Sequence, residues 1–533
     1  MTAALPRTNQ LDLYDGEWTY YHAAHLLRRT TFGPRKEEIN EALSLGLTAA
    51  VDRLLQPIPL PSKPVFYNFA THPDVPLGES WAGQRYAGVD GEDRARNDSL
   101  RAWYLLSITE QGFSVRDRMM YFWVNHFGMS GQGDHNVVYD AYTTYRQYAT
   151  GNFRELVKIM TIHPYMLVFL NGNQNQASSP NENFAREVLE LYTLGRGPEV
   201  GPGDYTNYTE QDVTELARAF TGWRTRNFKS QEPDTPAESY YQANRHDTGD
   251  KTLSHRFNGA VITNNDEREY LDVIDLIFTK DVVATYLCRK LYRTFVYYKI
   301  SAETETSVIQ PLAQIMIDND YEVAPVLRAL FTSRHFFEIG VRGGIIKTPL
   351  DFITSIFRTT RFFDFPELAD RYNAGRQGYN HARNTGMDPA GPPSVAGWTA
   401  YYQEPSFHRL WLSTVTLQER VTFQRNATLR FFRWNDERYQ PDWLGLVDEF
   451  INPFDAVSMI QEFGERLLPE GLNDAQVTDL RELLLPGLED FVWTMEYADY
   501  RSNPNDEELL KSLRNRLHEM LYGMLQLAEF QVN

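Results

Sequence analysis

The stretch from Asn181 to Gly195, NENFAREVLELYTLG, carries the clearest helical pattern in the chain and constrains the fold most strongly. Asn181 is suited to begin a helix, because its side-chain oxygen can accept from the free N–H groups of the first turn. Gly195 is suited to end it, because glycine adopts left-handed backbone angles without strain. Polar residues fall on one arc and apolar residues on the other. The pattern therefore predicts an amphipathic helix whose polar arc faces either solvent or a cleft.

Similar apolar spacings recur along most of the 533 residues. They predict a mainly α fold, a multi-helical array with at most a small β-hairpin. Two irregular segments, residues 227–263 and 371–403, interrupt the array, and residues 56–90 form an irregular connection rich in proline, glycine and aromatic residues. We expect residues 1–425 to form a helical body and residues 426–533 a helical C-terminal extension packed on it.

The charge balance limits the classes of partner. Acidic residues outnumber basic ones, 71 against 52, which gives a net charge of −19. An acidic surface repels nucleic acid and anionic membranes, so neither is expected as a partner. A divalent cation, a neutral substrate or a basic partner is compatible with it. Cys288 is the single cysteine, which excludes an internal disulfide and a cysteine-based metal site.

No part of the sequence predicts a membrane anchor or a leader. No segment approaches the roughly 18–20 apolar residues that span a bilayer, so no transmembrane segment is expected. The N-terminal stretch MTAALPRTNQLDLYDGEWTYY lacks a basic region followed by an apolar one. Taken alone, these features predict a soluble, cytoplasmic protein.

Carboxylate and imidazole groups suggest a metal site. Glu187 and Glu190 share the polar arc of the 181–195 helix, and His126 lies near the end of an earlier helical stretch. These are suitable ligand types for a catalytic divalent ion, so we predict Glu187, Glu190 and His126 as metal ligands. No compact signature such as HExxH accompanies them. The structural alternative is an ion-pair ladder of Glu182, Arg186 and Glu190, spaced four residues apart, that only orients helices.

The run RHDTGDKTL is the densest group of chemically useful side chains. Asp247 could orient His246 as a base, and we predict His246, Asp247 and Glu187 as the catalytic residues. The alternative is a polar turn in which aspartates bond to nearby backbone N–H groups. The predicted substrate-binding residues are Asn183, Trp223, Lys251 and Trp398. Trp398 follows Gly397 in an aromatic loop that is suited to form one wall of a pocket.

Eight stretches, taken in order, resemble the bacterial domain-of-unknown-function family 1800. They are HLLRRTTFGP (25–34), RDRMMYFWVNHFG (116–128), GNFRELVKIMTIHPYMLVFLNG (151–172), NENFAREVLELYTLG (181–195), YTEQDVTELARAFTGW (208–223), HDTGDKTL (246–253), IKTPLDF (346–352) and GPPSVAGW (391–398). Together they cover roughly residues 20–425. Each is modest alone, and their number and order carry the resemblance.

The resemblance implies a largely helical bacterial protein without an established reaction. Members of the family often look exported, and their genes often neighbour those of family 1501, whose proteins resemble sulfatases or alkaline phosphatases and commonly carry twin-arginine signals. This sequence departs from that pattern by lacking a visible signal. Co-export with a signal-bearing partner, to the periplasm or cell envelope, is the alternative to a cytoplasmic location.

Two functions follow as hypotheses from different classes. The first is a partner or scaffold of a phosphatase- or sulfatase-like protein at the cell envelope, which the family context favours. The second is a metal-dependent hydrolase or carbohydrate-active protein that uses a cleft of Glu, His and Asp side chains. The second requires His126, His246 and Glu187 to converge in space.

Overall fold

Helices follow one another along most of the chain in the computed structural model, which describes residues 10–533. The mainly α fold predicted from the sequence is confirmed. The absence of a leader was predicted from the stretch MTAALPRTNQLDLYDGEWTYY. The first nine residues of that stretch lie outside the described residues. No helix among residues 10–533 combines the length and apolar character needed to cross a membrane.

In chain order the helices are α1 (Tyr20–Thr30), α2 (Lys36–Leu45), α3 (Leu47–Leu55), α4 (Glu92–Glu110), α5 (Arg116–His126), α6 (His135–Gln147), α7 (Phe153–Ile162), α8 (Pro164–Phe169), α9 (Glu182–Glu187), α10 (Glu210–Ala219), α11 (Glu269–Ile277), α12 (Val282–Phe295), α13 (Ala302–Thr304), α14 (Gln310–Asp318), α15 (Val323–Phe331), α16 (Pro349–Thr359), α17 (Leu368–Asn384), α18 (Thr414–Ala427), α19 (Trp443–Val447), α20 (Ala456–Leu467), α21 (Asp474–Leu484), α22 (Phe491–Ser502) and α23 (Glu507–Leu525). Two π turns, Val188–Thr193 and Glu305–Ile309, continue α9 and α13. Short 3₁₀ turns lie at Gly172–Gln174, Ala243–Arg245, His255–Phe257, Asp266–Arg268, His335–Phe337, Thr399–Tyr401, Phe407–Trp411 and Ala528–Gln531.

The strands of the described chain pair as four separate antiparallel ribbons. They are β1 (Glu199–Gly201) with β2 (Asp204–Tyr205), β3 (Trp223–Arg226) with β4 (Glu238–Tyr241), β5 (Lys251–Thr252) with β6 (Val261–Ile262), and β7 (Phe432–Trp434) with β8 (Glu437–Tyr439). These ribbons are more numerous than the single small hairpin expected, although each is short. Strands of two to four residues contain too little apolar alternation to stand out in a sequence.

The segment 371–403, predicted to be irregular, begins inside helix α17, which extends to Asn384. Its sequence is a poor helix former because it contains Gly375 and Gly378. Tertiary packing compensates for this, because both glycines face α4 at close range. A Cβ at Gly378 would lie 2.4 Å from Leu105, and one at Gly375 would lie 2.8 Å from Leu106. The prediction was therefore wrong for residues 371–384, where close contact between the two helices outweighs local propensity.

The buried apolar side chains form one contiguous cluster that includes residues from both the proposed body and the proposed extension. Phe530 is fully buried and packs against Phe352, with ring centroids 5.5 Å apart. Ile346 forms an antiparallel bridge with Val532. The division into a body and an extension stays a prediction, and residues from both parts share one core.

The stretch from Asn181 to Gly195 begins and ends as predicted, but it is not one regular α-helix. The Asn181 side chain accepts from the N–H of Phe184 at 3.2 Å, and Gly195 has a left-handed φ of +71°. Between these ends, α9 widens into a π turn in which the N–H of Leu194 donates to the carbonyl of Leu189. A wider turn changes the angle between successive side chains, so the predicted polar arc does not continue beyond α9.

The polar residues of this stretch contact neighbouring secondary structure. Arg186 makes a bidentate pair with Glu210, with both N–O distances 2.7 Å. Glu190 accepts from the Tyr208 hydroxyl at 2.7 Å. The ladder along α9 proposed as the structural alternative is replaced by contacts between α9 and the start of α10.

Candidate functional site

His246 lies between the end of α10 and the start of α11, where both ring nitrogens have oxygen partners. Nε2 is 3.0 Å from a carboxylate oxygen of Glu269, and Nδ1 is 2.9 Å from the carbonyl oxygen of Thr221. Two acceptors require two ring protons, so these contacts favour the cationic form of this histidine. Burial alone would lower the pKa of His246, but the hydrogen bonds to Glu269 and Thr221 outweigh burial and raise it. These contacts do not support the predicted role of His246 as a catalytic base.

Lys251 and Asp247 have structural partners as well. Nζ of Lys251 is 2.6 Å from Glu269, and its side chain is fully buried, so no substrate reaches it. Both carboxylate oxygens of Asp247 accept from Arg218, at 2.8 and 3.0 Å, and one also accepts from the N–H of Gly249. The contacts of Asp247 agree with the polar-turn alternative rather than with a catalytic role.

Glu187, Glu190 and His126 do not form a metal site. Within residues 10–533, no group of three His, Cys, Asp or Glu side chains is placed to hold a metal ion. Nε2 of His126 is 3.1 Å from the carbonyl oxygen of Tyr192, and Nδ1 is 3.2 Å from Nζ of Lys290. Both ring nitrogens are therefore used. The three side chains are therefore not placed together to hold a divalent cation, and the structure does not support the predicted metal.

The other predicted residues are held in separate environments. Asn183 is exposed on α9, and Trp223 is half-buried at the start of β3. Trp398 is only 2% exposed and stacks on Tyr121, with ring centroids 4.7 Å apart. Burial, and then the charge of Glu190, raise the pKa of Glu187, yet neither carboxylate lines the cavity described next.

A cavity of about 440 Å³ lies where α5, α12, the end of the π turn after α9, and the loop 394–402 meet. Its volume suits a small organic ligand. Three of the stretches quoted above contribute to its wall: residues 116–128, 181–195 and 391–398. The lining side chains and backbone belong to Phe122, Asn125, His126, Leu194, Gly195, Arg196, Gly197, Asn207, Tyr286, Arg289, Lys290, Arg293, Thr294, Ala396, Tyr401 and Tyr402.

The charge of this cavity is opposite to that of the whole protein. Four of its lining residues are basic and none is a carboxylate. Arg289 is paired with Glu305 at 2.7 and 2.9 Å, and Arg196 lies 3.7 Å from Glu199. A concave site lined by one sign of charge raises the local concentration of the opposite ion. The cavity is therefore suited to an anionic ligand.

Arg293 carries the strongest indication of an anion. Burial lowers the pKa of Arg293, and the charges of Glu404 and Glu305 act in the opposite direction. Nε of Arg293 is buried without a partner. The guanidinium lies over the ring of Phe407, 5.5 Å from the centroid. An arginine presents five donors in a planar fork, and unused donors in a cavity wall match a carboxylate or phosphate group.

His126 and Lys290 form a pair in the same wall. Besides its contact with His126, Nζ of Lys290 donates to the carbonyl oxygen of Leu191 at 3.1 Å. Burial, and then the charge of Arg293, lower the pKa of Lys290 to about 7. The carbonyls of Leu191 and Tyr192 are available to these side chains because the last turn of a helix leaves its carbonyls without intrahelical partners.

A much narrower cavity of about 20 Å³ adjoins the first and shares Arg293, Thr294 and Tyr401 with it. Arg29, one of the residues lining this narrow cavity, has Nε and Nη1 buried without hydrogen-bond partners. Burial lowers the pKa of Arg29 to about 9. The narrow cavity has room for about one water-sized group, and the carboxylate of Asp351 lines it together with several arginines.

A larger and more open groove, of about 830 Å³, lies between the connection 56–90 and residues 227–237. Its arginine, Arg85, is paired with Asp74 at 2.6 Å. Aspartates and glutamates also line the groove, so its wall is mixed in charge. This groove offers no unpaired group comparable to Arg293, and we regard the smaller cationic cavity as the candidate site.

The basic residues of the cavity were missed in the sequence, although a signal was present. Arg289, Lys290 and Arg293 lie in the apolar helical stretch ATYLCRKLYRTF, and no acidic residue occurs from Val282 to Ser301. A helix with three cations and no acidic neighbour within four residues has no local ion pairs to neutralise them. Only the tertiary structure shows that these three basic residues line the same cavity as His126 and Gly195.

The fold and the site define a largely helical protein with a ligand-sized cationic cavity enclosed by two helices, a π turn and an aromatic loop. A family model described as protein of unknown function (DUF1800) matches residues 25–532, and the chain belongs to this family. The predicted resemblance is confirmed, and the match continues beyond residue 425 through the C-terminal helices. No curated protein sequence and no solved structure matches the chain.

Proposed function

We propose that the protein binds a small organic anion, bearing a carboxylate, phosphate or sulfate group, in the 440 Å³ cavity. The observation that carries the proposal is Arg293, whose Nε is buried without a protein acceptor. Leaving a buried donor unpaired costs about 1–3 kcal/mol, and an anion in the cavity would remove that cost. Arg289 and Lys290 lie on the same helix face and add positive charge.

The experiment is a binding titration with phosphate, sulfate, pyruvate, lactate and pyridoxal 5′-phosphate at low ionic strength, read by calorimetry and by the change in Tm. We expect at least one of these anions to bind. The variant Arg293→Gln should weaken that binding by roughly tenfold or more, because a charged hydrogen bond contributes about 1.5–3 kcal/mol. Rising salt should weaken it further.

Arg101 provides a matched control. It is also half-buried, and its guanidinium lies 5.5 Å from the centroid of the Tyr379 ring, but it does not line the cavity. Arg101→Gln should bind the anion as the wild type does. The proposal is wrong if no anion of the panel binds, or if Arg293→Gln and Arg101→Gln bind it equally well.

A role as partner of a phosphatase- or sulfatase-like protein of family 1501 is a second proposal. A patch of exposed apolar side chains supports it: Ile451, Phe454, Phe491 and Met495, with exposed fractions of 87, 40, 60 and 58%. Phe491 and Met495 lie four residues apart on α22, and the adjacent Thr494 donates to the carbonyl of Phe454 at 2.8 Å. Contiguous exposed apolar side chains are typical of protein interfaces. The two proposals are compatible, because enzymes of that kind act on phosphate and sulfate esters.

A metal-dependent hydrolase is not proposed, because no three of the candidate ligands among residues 10–533 are placed together to hold a metal ion. The carbohydrate-active alternative also loses support, since Lys251 is inaccessible and the remaining predicted substrate residues do not share one site.

A further inference from the structure

Lys290 differs from an ordinary surface lysine in its hydrogen bonds. Its Nζ lies in the cavity wall, 3.2 Å from Nδ1 of His126 and 3.1 Å from the carbonyl oxygen of Leu191. No carboxylate among residues 10–533 lies within 4 Å of it. Most lysines in folded proteins keep their charge in water or beside a carboxylate. Lys290 is only partly exposed, and its Nζ lies 4.9 Å from the centroid of the Tyr286 ring.

The protonation of the pair follows from its contacts. The carbonyl of Tyr192 can only accept, so the proton of His126 is on Nε2. Nδ1 of His126 is then an acceptor, as is the carbonyl of Leu191. Both partners of Lys290 therefore take an N–H from it. A neutral amine has two N–H bonds and one lone pair, so these contacts use both of its hydrogens and leave the lone pair free.

The surroundings favour this neutral form. Burial and the nearby charge of Arg293 lower the pKa of Lys290 to about 7, so a large fraction of the amine is uncharged at neutral pH. A lysine beside another cation in a poorly solvated pocket is a typical nucleophile toward carbonyl compounds. The charged or titratable groups around it are His126 on α5, Arg196 after the π turn, Arg289, Arg293 and Tyr286 on α12, and Tyr401 and Tyr402 in the loop.

We propose that the Lys290 amine forms an imine with the carbonyl carbon of a small anionic aldehyde or ketone, such as a 2-oxo acid, whose anionic group is held by Arg293. This inference rests on the proposed function and names its ligand class. Arg293 follows Lys290 by three residues, so the two side chains project from one face of α12. An anion on Arg293 thus places an adjacent carbonyl group near the amine.

The step balances without an added reagent. The nitrogen lone pair attacks the carbonyl carbon, a C–N bond forms, the C=O π bond breaks, and one of the two N–H protons passes to the oxygen to give a carbinolamine. The hydroxyl group then leaves with the second N–H proton as water, while the C=N bond forms. No electron is gained or lost overall. His126 is a positioning residue in this step, because it holds the amine and does not contact the substrate.

The test is reductive trapping on the full chain. Pyruvate, glyoxylate and pyridoxal 5′-phosphate are each incubated with the protein and sodium borohydride, and the modified lysine is located by peptide mass spectrometry. We expect at least one probe to label Lys290 roughly tenfold more than the exposed Lys299 and Lys511. As pH rises, labelling of Lys290 should reach half of its maximum near pH 7. Labelling of the exposed lysines should increase only at a higher pH.

Lys347 is an internal control. It is also buried, and burial lowers its pKa well below the ordinary lysine value, but it lines neither of the two adjoining cavities. It should remain unlabelled, which separates access to the cavity from a low pKa. The variant Lys290→Arg should form no adduct in the cavity, while its Lys299 and Lys511 should be labelled as in the wild type.

The outcomes separate this inference from the proposed function. Binding of pyruvate and lactate with no adduct at Lys290 from any probe overturns the imine and leaves the anion site standing. Equal labelling of Lys290, Lys299 and Lys511 overturns the imine as well. Failure of every anion to bind, with no adduct at Lys290, overturns both.

Discussion

Two buried lysines, Lys251 and Lys347, and the partly exposed Lys290 show how local contacts decide the role of one residue type. Lys251 is paired with Glu269 in the interior, which is the ordinary solution for a buried charge. Lys347 is buried beside the ring of Phe530, with Nζ 4.1 Å from its centroid. Lys290 faces a cavity and bonds only to neutral acceptors. The sequence around each of them is apolar or mixed, so residue type alone did not distinguish the structural lysines from the candidate nucleophile.

Glu269 is shared by two cations, His246 and Lys251, and this gives a prediction at the residue scale. The pKa of His246 is raised in the folded protein, so its charged form stabilises the fold below the ordinary histidine value of about 6.5. That contribution is lost as pH rises through the folded pKa. We therefore expect the loss of unfolding free energy in His246→Asn to be greatest near pH 5.5 and to shrink toward pH 9, as measured by urea unfolding.

His381 is the matched control for this experiment. Burial lowers its pKa to about 4, so its neutral form stabilises the fold above the ordinary value. The effect of His381→Asn should therefore grow as pH rises from about 5 to about 6.5, opposite to the effect of His246→Asn. Parallel pH profiles for the two variants would contradict the assigned charge of His246.

At the scale of elements, the cavity depends on how helices end. The π turn after α9 presents the carbonyls of Leu191 and Tyr192 to Lys290 and His126. Gly195 then turns the chain along the cavity wall. The ends of this helix were correctly predicted, because capping depends on residues close in sequence. The π turn was not, because its register depends on donors from α5 and α12.

The loop 394–402 closes another part of the wall and gives the prediction at this scale. Gly397 has a φ of +92°, and a Cβ there would lie 2.3 Å from Oδ1 of Asn125, the atom that accepts from the N–H of Trp398 at 2.8 Å. Gly397→Ala should therefore destabilise the fold by about 1–3 kcal/mol through backbone strain and this clash. It should also weaken anion binding, because Asn125 and Tyr401 line the cavity. Urea unfolding and the binding titration measure the two effects.

Gly83 is a control that distinguishes backbone strain from the clash with Asn125. It has a similar φ of +86°, but a Cβ there would meet no atom within 4 Å. Gly83→Ala should show only the backbone strain, about 1–2 kcal/mol, with normal anion binding. If Gly397→Ala costs no more than Gly83→Ala and binds the anion normally, the loop does not shape the cavity as described.

For the whole molecule, net charge was a poor guide to the candidate ligand. A charge of −19 favoured a cation, a neutral substrate or a basic partner, yet the cavity is cationic. Net charge sums every exposed side chain, whereas a ligand responds to the few groups around it. The acidic surface and the basic cavity together favour small anions that enter the cavity over large polyanions that the surface repels.

The partner proposal is tested at the scale of the whole molecule. We expect purification of the tagged chain from its native host to recover a phosphatase- or sulfatase-like protein in stoichiometric amount. The double variant Phe491→Ser with Met495→Ser should weaken this association by about tenfold or more, because exposed apolar anchors dominate interface energies. Quantitative co-purification measures the change.

Val415 is the control for the surface change. Its side chain is 71% exposed but lies on α18, outside the apolar patch. Val415→Ser should leave the association unchanged. Recovery of the chain alone from its host, or equal retention of the partner by the patch variant and by Val415→Ser, would contradict the proposal.

The sequence by itself determined the helical class, the two ends of the 181–195 stretch and membership in a family of unknown function. These features depend on spacings of three or four residues and on short motifs, which are local properties of a chain. The helix α17 escaped detection because its glycines are favourable only against α4.

The tertiary structure alone decided which side chains form a site. His126 and Lys290 are separated by 164 positions, and no local pattern relates them. The stretch 181–195 remains central, but through the backbone at its end rather than through Glu187 and Glu190 on its polar arc. The physical reason is that a site is formed by contacts between residues that are far apart in the sequence. A carbonyl or an arginine can bind a ligand or another side chain only where the rest of the fold leaves its hydrogen-bonding groups without partners.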